Sequence, residues 1–232
     1  TVNNSVRPDD VYVVIPSYNE GQVIRTTVMP LVQVGYRVVV VDDCSNDSTK
    51  QALQGLPIFY LRHEINLGQG AAIQTGLDFC AEHGAQYAVT FDADGQHNYL
   101  EIPDLLAPIV ENKADVTMGT RFMRKEDIAQ VPASRKVILK GAIWVNGLFT
   151  GLWLTDAHNG FRAMNNKALN AIKLRENRMA HASEILSNIK DAQLRYMEVP
   201  VKIIYTEYSK LKGQSSMNSI NILIDLILKK IL

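Results

Sequence analysis

Along the first half of the chain the hydrophobic positions gather into short runs: Val11–Ile15, Arg37–Val41, Ile58–Leu61, Tyr87–Phe91 and Val116–Gly119, β-branched or aromatic in character. A strand apolar along its whole length is buried on both faces, as in a parallel sheet covered by helices on either side. The segments between the runs, Glu20–Val34, Ser48–Leu53, Gly70–His83 and Leu100–Asn112, mix apolar and polar residues in helical patterns. Strand and helix therefore alternate, which predicts βαβ units joined by right-handed crossovers. The fold class expected is α/β, with a Rossmann-like, mainly parallel sheet and helices on both faces.

The second half breaks this rhythm. Lys136–Thr150 reads as a helix rich in Ile, Leu and Trp, Ala182–Asp191 as another helix, Phe161–Met164 and Val199–Tyr205 as strands, and Glu207–Ser216 as a polar loop. Such a half closes over the sheet edge and supplies the second substrate's site. No composition shift separates the two, so residues 1–216 read as one domain with two lobes, 11–120 and 121–216. From Asn218 to Leu232, Asn218, Asn221, Asp225 and Lys229 form one narrow polar stripe among Ile and Leu. Residues 217–232 are thus expected to form an amphipathic C-terminal helix with a wide apolar face. It reaches roughly 22 Å, short of the ~30 Å hydrocarbon core of a bilayer. It suits a membrane interface, a membrane-protein partner or a homo-oligomer contact, the alternative being a core helix that covers the domain.

The 232 residues are 47% hydrophobic, ample for one continuous core. Lys and Arg number 24 and Asp and Glu 24, so no basic excess points to nucleic acid. Cys44 and Cys80 are the two cysteines, in neither paired nor metal-ligand spacing, which suits a reducing compartment. The N-terminus, which opens at Thr1, carries no apolar signal region. The expected location is cytoplasmic.

The candidate chemistry lies in the loops that follow the first four strands, at the carboxyl edge where open α/β sheets bind ligands. The first loop holds Pro16, Tyr18, Asn19 and Glu20; Asn19 is a helix cap or a ligand contact. The second holds Asp42, Asp43, Ser45 and Asp47, and two adjacent acids at a strand end suit hydrogen bonding to a ribose or a base edge. In the third, Gly68 and Gly70 open a helix whose free N–H groups face an anion or whose glycines allow close packing. The fourth is Asp92-Ala93-Asp94-Gly95-Gln96-His97, two acids one residue apart, which suits an oxygen-lined divalent cation site. His97 is either a contact to the metal or diphosphate or a surface turn residue.

Taken in order, these motifs resemble the family 2 glycosyltransferases of the GT-A fold, and within them the dolichyl- or polyprenyl-phosphate sugar synthases. The resemblance rests on Pro16-Ser17-Tyr18-Asn19-Glu20, Asp42-Asp43 with Ser45, Asp47 and Thr49, Asn66-x-Gly68-x-Gly70, and Asp92 to His97. It continues through Gly119-Thr120-Arg121-Phe122, Asp156 with Gly160-Phe161-Arg162, Glu198-Val199-Pro200-Val201, and Lys212-Gly213-Gln214-Ser215. It implies that residues 11–120 are the nucleotide-sugar half and 121–216 the acceptor half. By the same resemblance, Pro16, Tyr18 and Glu20 frame the base and ribose, and Asp43 lies on the base. Asp92, with Ala93 and Gly70 beside it, holds the ribose or sugar. Asp94, with Gln96, binds Mg²⁺ or Mn²⁺ across the donor diphosphate, and Arg121 and Arg162 lie near phosphates. Arg135, Lys136 and Lys140 are expected at the acceptor phosphate, with Leu139 standing where the family often has Ser.

The chemistry agrees with these roles, because breaking a sugar–diphosphate bond builds negative charge that a cation and an Arg stabilise. A phosphate acceptor is already ionised and needs no strong base, whereas a sugar hydroxyl does. Asp156 is the candidate base in the second case, or otherwise a structural carboxylate paired to Arg162. The expected function is inverting transfer of a hexose or N-acetylhexosamine, from UDP in preference to GDP, to polyprenyl phosphate for cell-surface glycan synthesis. The enzyme is then peripheral at the inner face of the cell membrane, alone or recruited by a small membrane protein. The rivals are extension of a lipid-linked or surface polysaccharide at a sugar hydroxyl, and a non-catalytic nucleotide-sugar-binding protein. A nucleotidyltransferase of similar fold opens with a basic Gly-rich loop that Ile15-Pro16-Ser17-Tyr18-Asn19-Glu20-Gly21 does not match.

Overall fold

The structure is a computed structural model that describes residues 6–123, 147, 151–156, 159–177 and 181–204. Arg135, Lys136, Lys140, the Glu207–Ser216 loop and the C-terminal helix lie outside the described residues, as does the Lys136–Thr150 helix save Gly147.

Seven strands form one sheet: β1 (Val11–Ser17), β2 (Arg37–Asp42), β3 (Phe59–Arg62), β4 (Tyr87–Thr90), β5 (Val116–Thr120), β6 (Arg162–Asn165) and β7 (Tyr196–Pro200). Their order across the sheet is β3-β2-β1-β4-β6-β5-β7. All pairings are parallel except those of β6, which runs antiparallel between β4 and β5. The helices are α1 (Ile24–Val34), α2 (Thr49–Ala52), α3 (Gln69–Glu82), α4 (Ile102–Val110), α5 (Asn166–Ala171) and α6 (His181–Asp191).

The apolar runs of β1, β2 and β4 are buried on both faces because successive side chains of a strand face opposite ways, whereas β3, at the sheet's edge, is part-exposed along its length. Val11, Val13 and Ile15 of β1 join a core with Val28 and Leu31 of α1 and Leu105 of α4. Tyr12 and Val14 join a second core with Ile73 and Leu77 of α3 and Ile185 and Leu186 of α6. These two layers are the expected helices on both faces.

Two expectations about the second half shift. The strand placed at Val199–Tyr205 is found at Tyr196–Pro200, an edge strand whose half-exposed positions weaken the apolar signal. Past it, Val201 N–H still bonds Thr120 O at 2.9 Å, and Ile203 forms an isolated bridge with His97. The short helix α5 went unpredicted; its signal is Asn165, whose side chain accepts from Ala168 N–H as an N-cap.

The strand order fixes where a ligand fits. β2 and β3 extend from β1 in one direction and β4 from its other side, so the crossovers diverge between β1 and β4. Loops leaving such a switch point part to leave a crevice at the carboxyl edge. The loops that leave there begin at Tyr18 and at Phe91.

Candidate active site

The β4 loop brings its two carboxylates into different settings. Asp92 Oδ2 meets His97 Nε2 at 2.9 Å, and Gln69 Nε2 approaches Oδ1 at 3.4 Å. A Cβ on Gly160 would lie 2.6 Å from Asp92 Oδ1, so that position accepts glycine alone while the carboxylate stays where it is. Gly160 is fixed in turn by Thr90, whose hydroxyl donates to its carbonyl at 2.6 Å. Burial alone pushes Asp92 upward, but His97, Arg162 and His181 together bring it below the usual carboxylate range.

Asp94 has one partner among the described residues, the Gln96 backbone N–H donating to Oδ1 at 3.0 Å. Burial first, and the neighbouring Asp92 charge second, hold it above the usual carboxylate range. Two carboxylates kept close together against their mutual repulsion, one with an oxygen bare of donors, fit a hard divalent cation. Among the described residues no group of three or more His, Cys, Asp or Glu side chains converges as a ready cage. A cation held here therefore takes much of its coordination from water or substrate oxygens, as Mg²⁺ usually does. Gln96, expected beside Asp94, reaches it through its backbone.

The β1 and β2 loops are tied together. Asn19 N–H donates to Ser45 Oγ at 2.8 Å, Glu20 N–H to Thr49 Oγ1 at 3.0 Å and Gly21 N–H to Asp47 Oδ2 at 2.9 Å. Asn19 and Cys44 hold left-handed backbone at φ 56° and 66°, a local strain that clusters at functional loops. Pro16 is buried in β1, Glu20 is buried behind it, and Tyr18 stands 46% exposed at the crevice mouth.

The adjacent acids face inward. Asp42 accepts from Ser45 N–H at 2.8 Å, from Arg62 at 2.6 Å and from the Tyr60 hydroxyl. Asp43 is 2% exposed, and its carboxylate takes Leu67 N–H at 2.9 Å, Gly68 N–H at 2.7 Å and His63 Nδ1 at 2.7 Å. In this arrangement Asp43 shapes the loop before α3. The amide of Gly70 is not open to an anion: Gly70 N–H donates to Asn177 O at 2.8 Å, and a Cβ there would lie 2.1 Å from Glu176 O. Of the two readings of Gly70, close packing is the one realised.

Across the crevice Arg121 and Asp156 form a two-pronged pair at 2.6 and 2.8 Å. Asp156 is buried, and the pairing expected with Arg162 goes to Arg121 instead. Glu198 of β7 holds this loop by accepting Thr155 N–H at 2.8 Å, Thr155 Oγ1–H at 2.9 Å and Asp156 N–H at 3.2 Å. Sequence reasoning gave Glu198 no role, and the signal was its place beside Val199-Pro200 in an ordered motif. Arg162 is 1% exposed in β6, and burial lowers its guanidinium to about 10 against the pull of Asp92 and Asp156. His97 is not a surface turn residue; it is 7% exposed and stacks on Phe161 at 4.8 Å. Ala93 is buried, its carbonyl accepting from Thr27 Oγ1 at 3.0 Å.

The chain matches Glycosyl transferase family 2 over residues 12–173. It is 33% identical over 240 residues to the UDP-N-acetylglucosamine–dolichyl-phosphate N-acetylglucosaminyltransferase of Methanococcus voltae, covering 95% of this chain and 96% of that protein. It is 30% identical over 215 residues to the undecaprenyl-phosphate mannosyltransferase of Micrococcus luteus, covering 88% of each. In fold it is similar to glucosyl-3-phosphoglycerate synthase from Mycobacterium tuberculosis, solved with Mg²⁺ and UDP. The TM-score is 0.62 at 19% identity, over 93% of this chain and 78% of that one. The sheet with its single reversed strand is thus the GT-A arrangement, and by family pattern and near-full-length relatives this enzyme belongs to glycosyltransferase family 2.

Proposed function

We propose that this chain transfers a hexose or N-acetylhexosamine from a nucleotide sugar, with UDP as the nucleotide, to polyprenyl phosphate, inverting the anomeric carbon. The observation that carries the acceptor class is the state of Asp156. A sugar hydroxyl must lose a proton to a base, and the candidate base, Asp156, is buried in a two-pronged pair with Arg121. A phosphate acceptor arrives ionised and asks nothing of it. The relatives named above act on dolichyl and undecaprenyl phosphates, in keeping with this reading, and the first of them uses a UDP sugar.

In this reading Asp94 is the residue that holds Mg²⁺ or Mn²⁺, and the bound cation offsets charge on the departing diphosphate. Asp92 holds the ribose or sugar through Oδ1. Tyr18, Pro16 and Glu20 frame the nucleoside, and Asp43 acts on it through the loop it shapes. Arg121, one-third exposed and held by buried Asp156, supplies positive charge near the donor phosphates. Arg135, Lys136 and Lys140 meet the acceptor phosphate. No helix among the described residues is long and apolar enough to cross a membrane. In this reading the lipid chain of the acceptor stays in the bilayer and the enzyme comes to it at the cytoplasmic membrane surface, with the apolar residues 217–232 and a homo-oligomer or membrane-protein contact as anchor.

The test is incubation with a panel of radiolabelled nucleotide sugars, polyprenyl phosphate and Mn²⁺ or Mg²⁺, followed by solvent extraction. Label in the organic phase that mild acid releases as free sugar is expected. Label that resists mild acid, or that enters a growing glycan, overturns the phosphate acceptor.

A further inference from the structure

We infer that His97 is a positioning residue for Asp92, fixing the rotamer that presents Oδ1 to the donor, and that it is neither a metal ligand nor a proton carrier. The inference rests on the donor-holding role proposed for Asp92. A carboxylate oxygen offers only lone pairs, so in the 2.9 Å contact the proton belongs to Nε2, which donates to Asp92 Oδ2. That nitrogen has no lone pair left for a cation.

The other nitrogen cannot take over. His97 is 7% exposed, and Nδ1 is buried with no hydrogen-bond partner among the described residues. Here the ring is fixed by packing. Phe161 stacks on it at 4.8 Å and 23° between planes, and Phe91 meets it edge-on at 5.4 Å. The backbone of His97 is pinned as well, by its bridge to Ile203.

Asp92 is consequently gripped from two sides. His97 holds Oδ2, and the missing side chain of Gly160 leaves room for the carboxylate at 2.6–2.7 Å from where a Cβ would be. On Oδ1 the one hydrogen bond among the described residues is the long 3.4 Å approach of Gln69, which leaves that oxygen able to take a sugar or ribose hydroxyl. Without the His97 donor, repulsion from Asp94 and the open crevice favour other rotamers, so the geometry needed for binding is populated less.

The test compares His97→Phe, which keeps a ring between Phe91 and Phe161 but has no donor, with His97→Gln, whose amide can donate from a similar distance. His97→Phe is expected to melt near the wild type and to raise the donor KM about 10-fold or more. His97→Gln is expected to recover much of that loss. Asp92→Asn alone should also raise donor KM, and His97→Phe should add little on top of it, because both remove one contact. A folded His97→Phe with wild-type donor KM, or a loss that multiplies fully with Asp92→Asn, overturns the inference. If His97→Phe does not fold, a folded His97→Gln with donor KM as poor as Asp92→Asn overturns it as well. Asp92→Asn with unchanged donor KM removes the proposed role of Asp92 and this inference together; a loss there with none in His97→Phe removes this inference alone.

Discussion

The two edges of the sheet treat the same side chain in opposite ways. At the amino edge, Asp115 sits just before β5 and collects donors from three directions. Arg195 supplies its backbone N–H at 2.9 Å, Nε at 3.2 Å and Nη2 at 2.9 Å; Asn165 adds a bond at 3.1 Å and Lys167 one at 3.3 Å. Led by the Arg195 hydrogen bond, these hold Asp115 far below the usual carboxylate range. At the carboxyl edge, Asp94 has one backbone donor and a like charge beside it, and sits above that range. Asp115 locks together the amino ends of β5 and β7 and the carboxyl end of β6. Among the described residues Asp94 is left under-satisfied, which suits the cation proposed for it. The saturated acid contributes stability and the unsaturated one is held at some cost to it, which is the trade expected between scaffold and site.

The comparison breaks most visibly if the two acids are exchanged in function. Asp94→Asn should lower sugar transfer about 100-fold or more, the scale of losing one preorganised charge-stabilising group. Its melting temperature should stay level or rise, because the repulsion with Asp92 is relieved. Transfer of radiolabelled sugar at saturating Mn²⁺, measured beside a thermal melt, checks both halves. An active Asp94→Asn would remove the site reading.

Asp115→Ala should do the reverse. Removing one partner of a buried ion pair strands the others, but Lys167 and Arg195 are half exposed and regain water. A loss of roughly 2 kcal/mol is expected, which lowers the melting temperature by some 4–8 °C for a chain of this size. The turnover of the folded fraction should be unchanged. A sharp fall in turnover at a temperature where the protein is fully folded would mean that the amino edge is coupled to the crevice.

The edge strand β3 was legible from its aromatic residues, and β1, β2 and β4 were legible because parallel strands buried on both faces are nearly unbroken apolar runs. The same property hid the reversal of β6. Arg162–Asn165 is buried almost throughout, so its side chains give no alternation from which direction or neighbours can be read. The Asp156 partner was hidden for another reason. Arg121 and Arg162 both lie within plausible reach in the chain, and only the insertion of β6 between β4 and β5 decides which one the carboxylate meets. Asp43 was read correctly as a residue at a strand end, yet the backbone amides of Leu67 and Gly68 that fill it leave no trace in side-chain identity. Composition marks the acids; the donors that decide their state are backbone amides for Asp43 and side chains from distant parts of the chain for Asp92, Asp115 and Asp156.

The smallest effect is a pH dependence that Asp115 should show on its own. Its folded pKa is depressed from an unfolded value near 3.9, so its stabilisation is complete above about pH 5 and is lost as pH falls through 4 toward the folded value. Asp115→Asn, which keeps the shape but cannot ionise, should be less stable than the wild type by a constant margin between about pH 5 and 8. Below pH 4 that margin should shrink as the wild-type carboxyl is protonated and the Arg195 and Lys167 contacts lose their charge partner. Urea midpoints of the two proteins measured at pH 3, 4, 5 and 7 give the margin directly. A margin as large at pH 3 as at pH 7 would mean that Asp115 acts through hydrogen-bond geometry alone. The contrast with Asp94 would then rest on the number of donors each acid has, with charge contributing nothing at the amino edge.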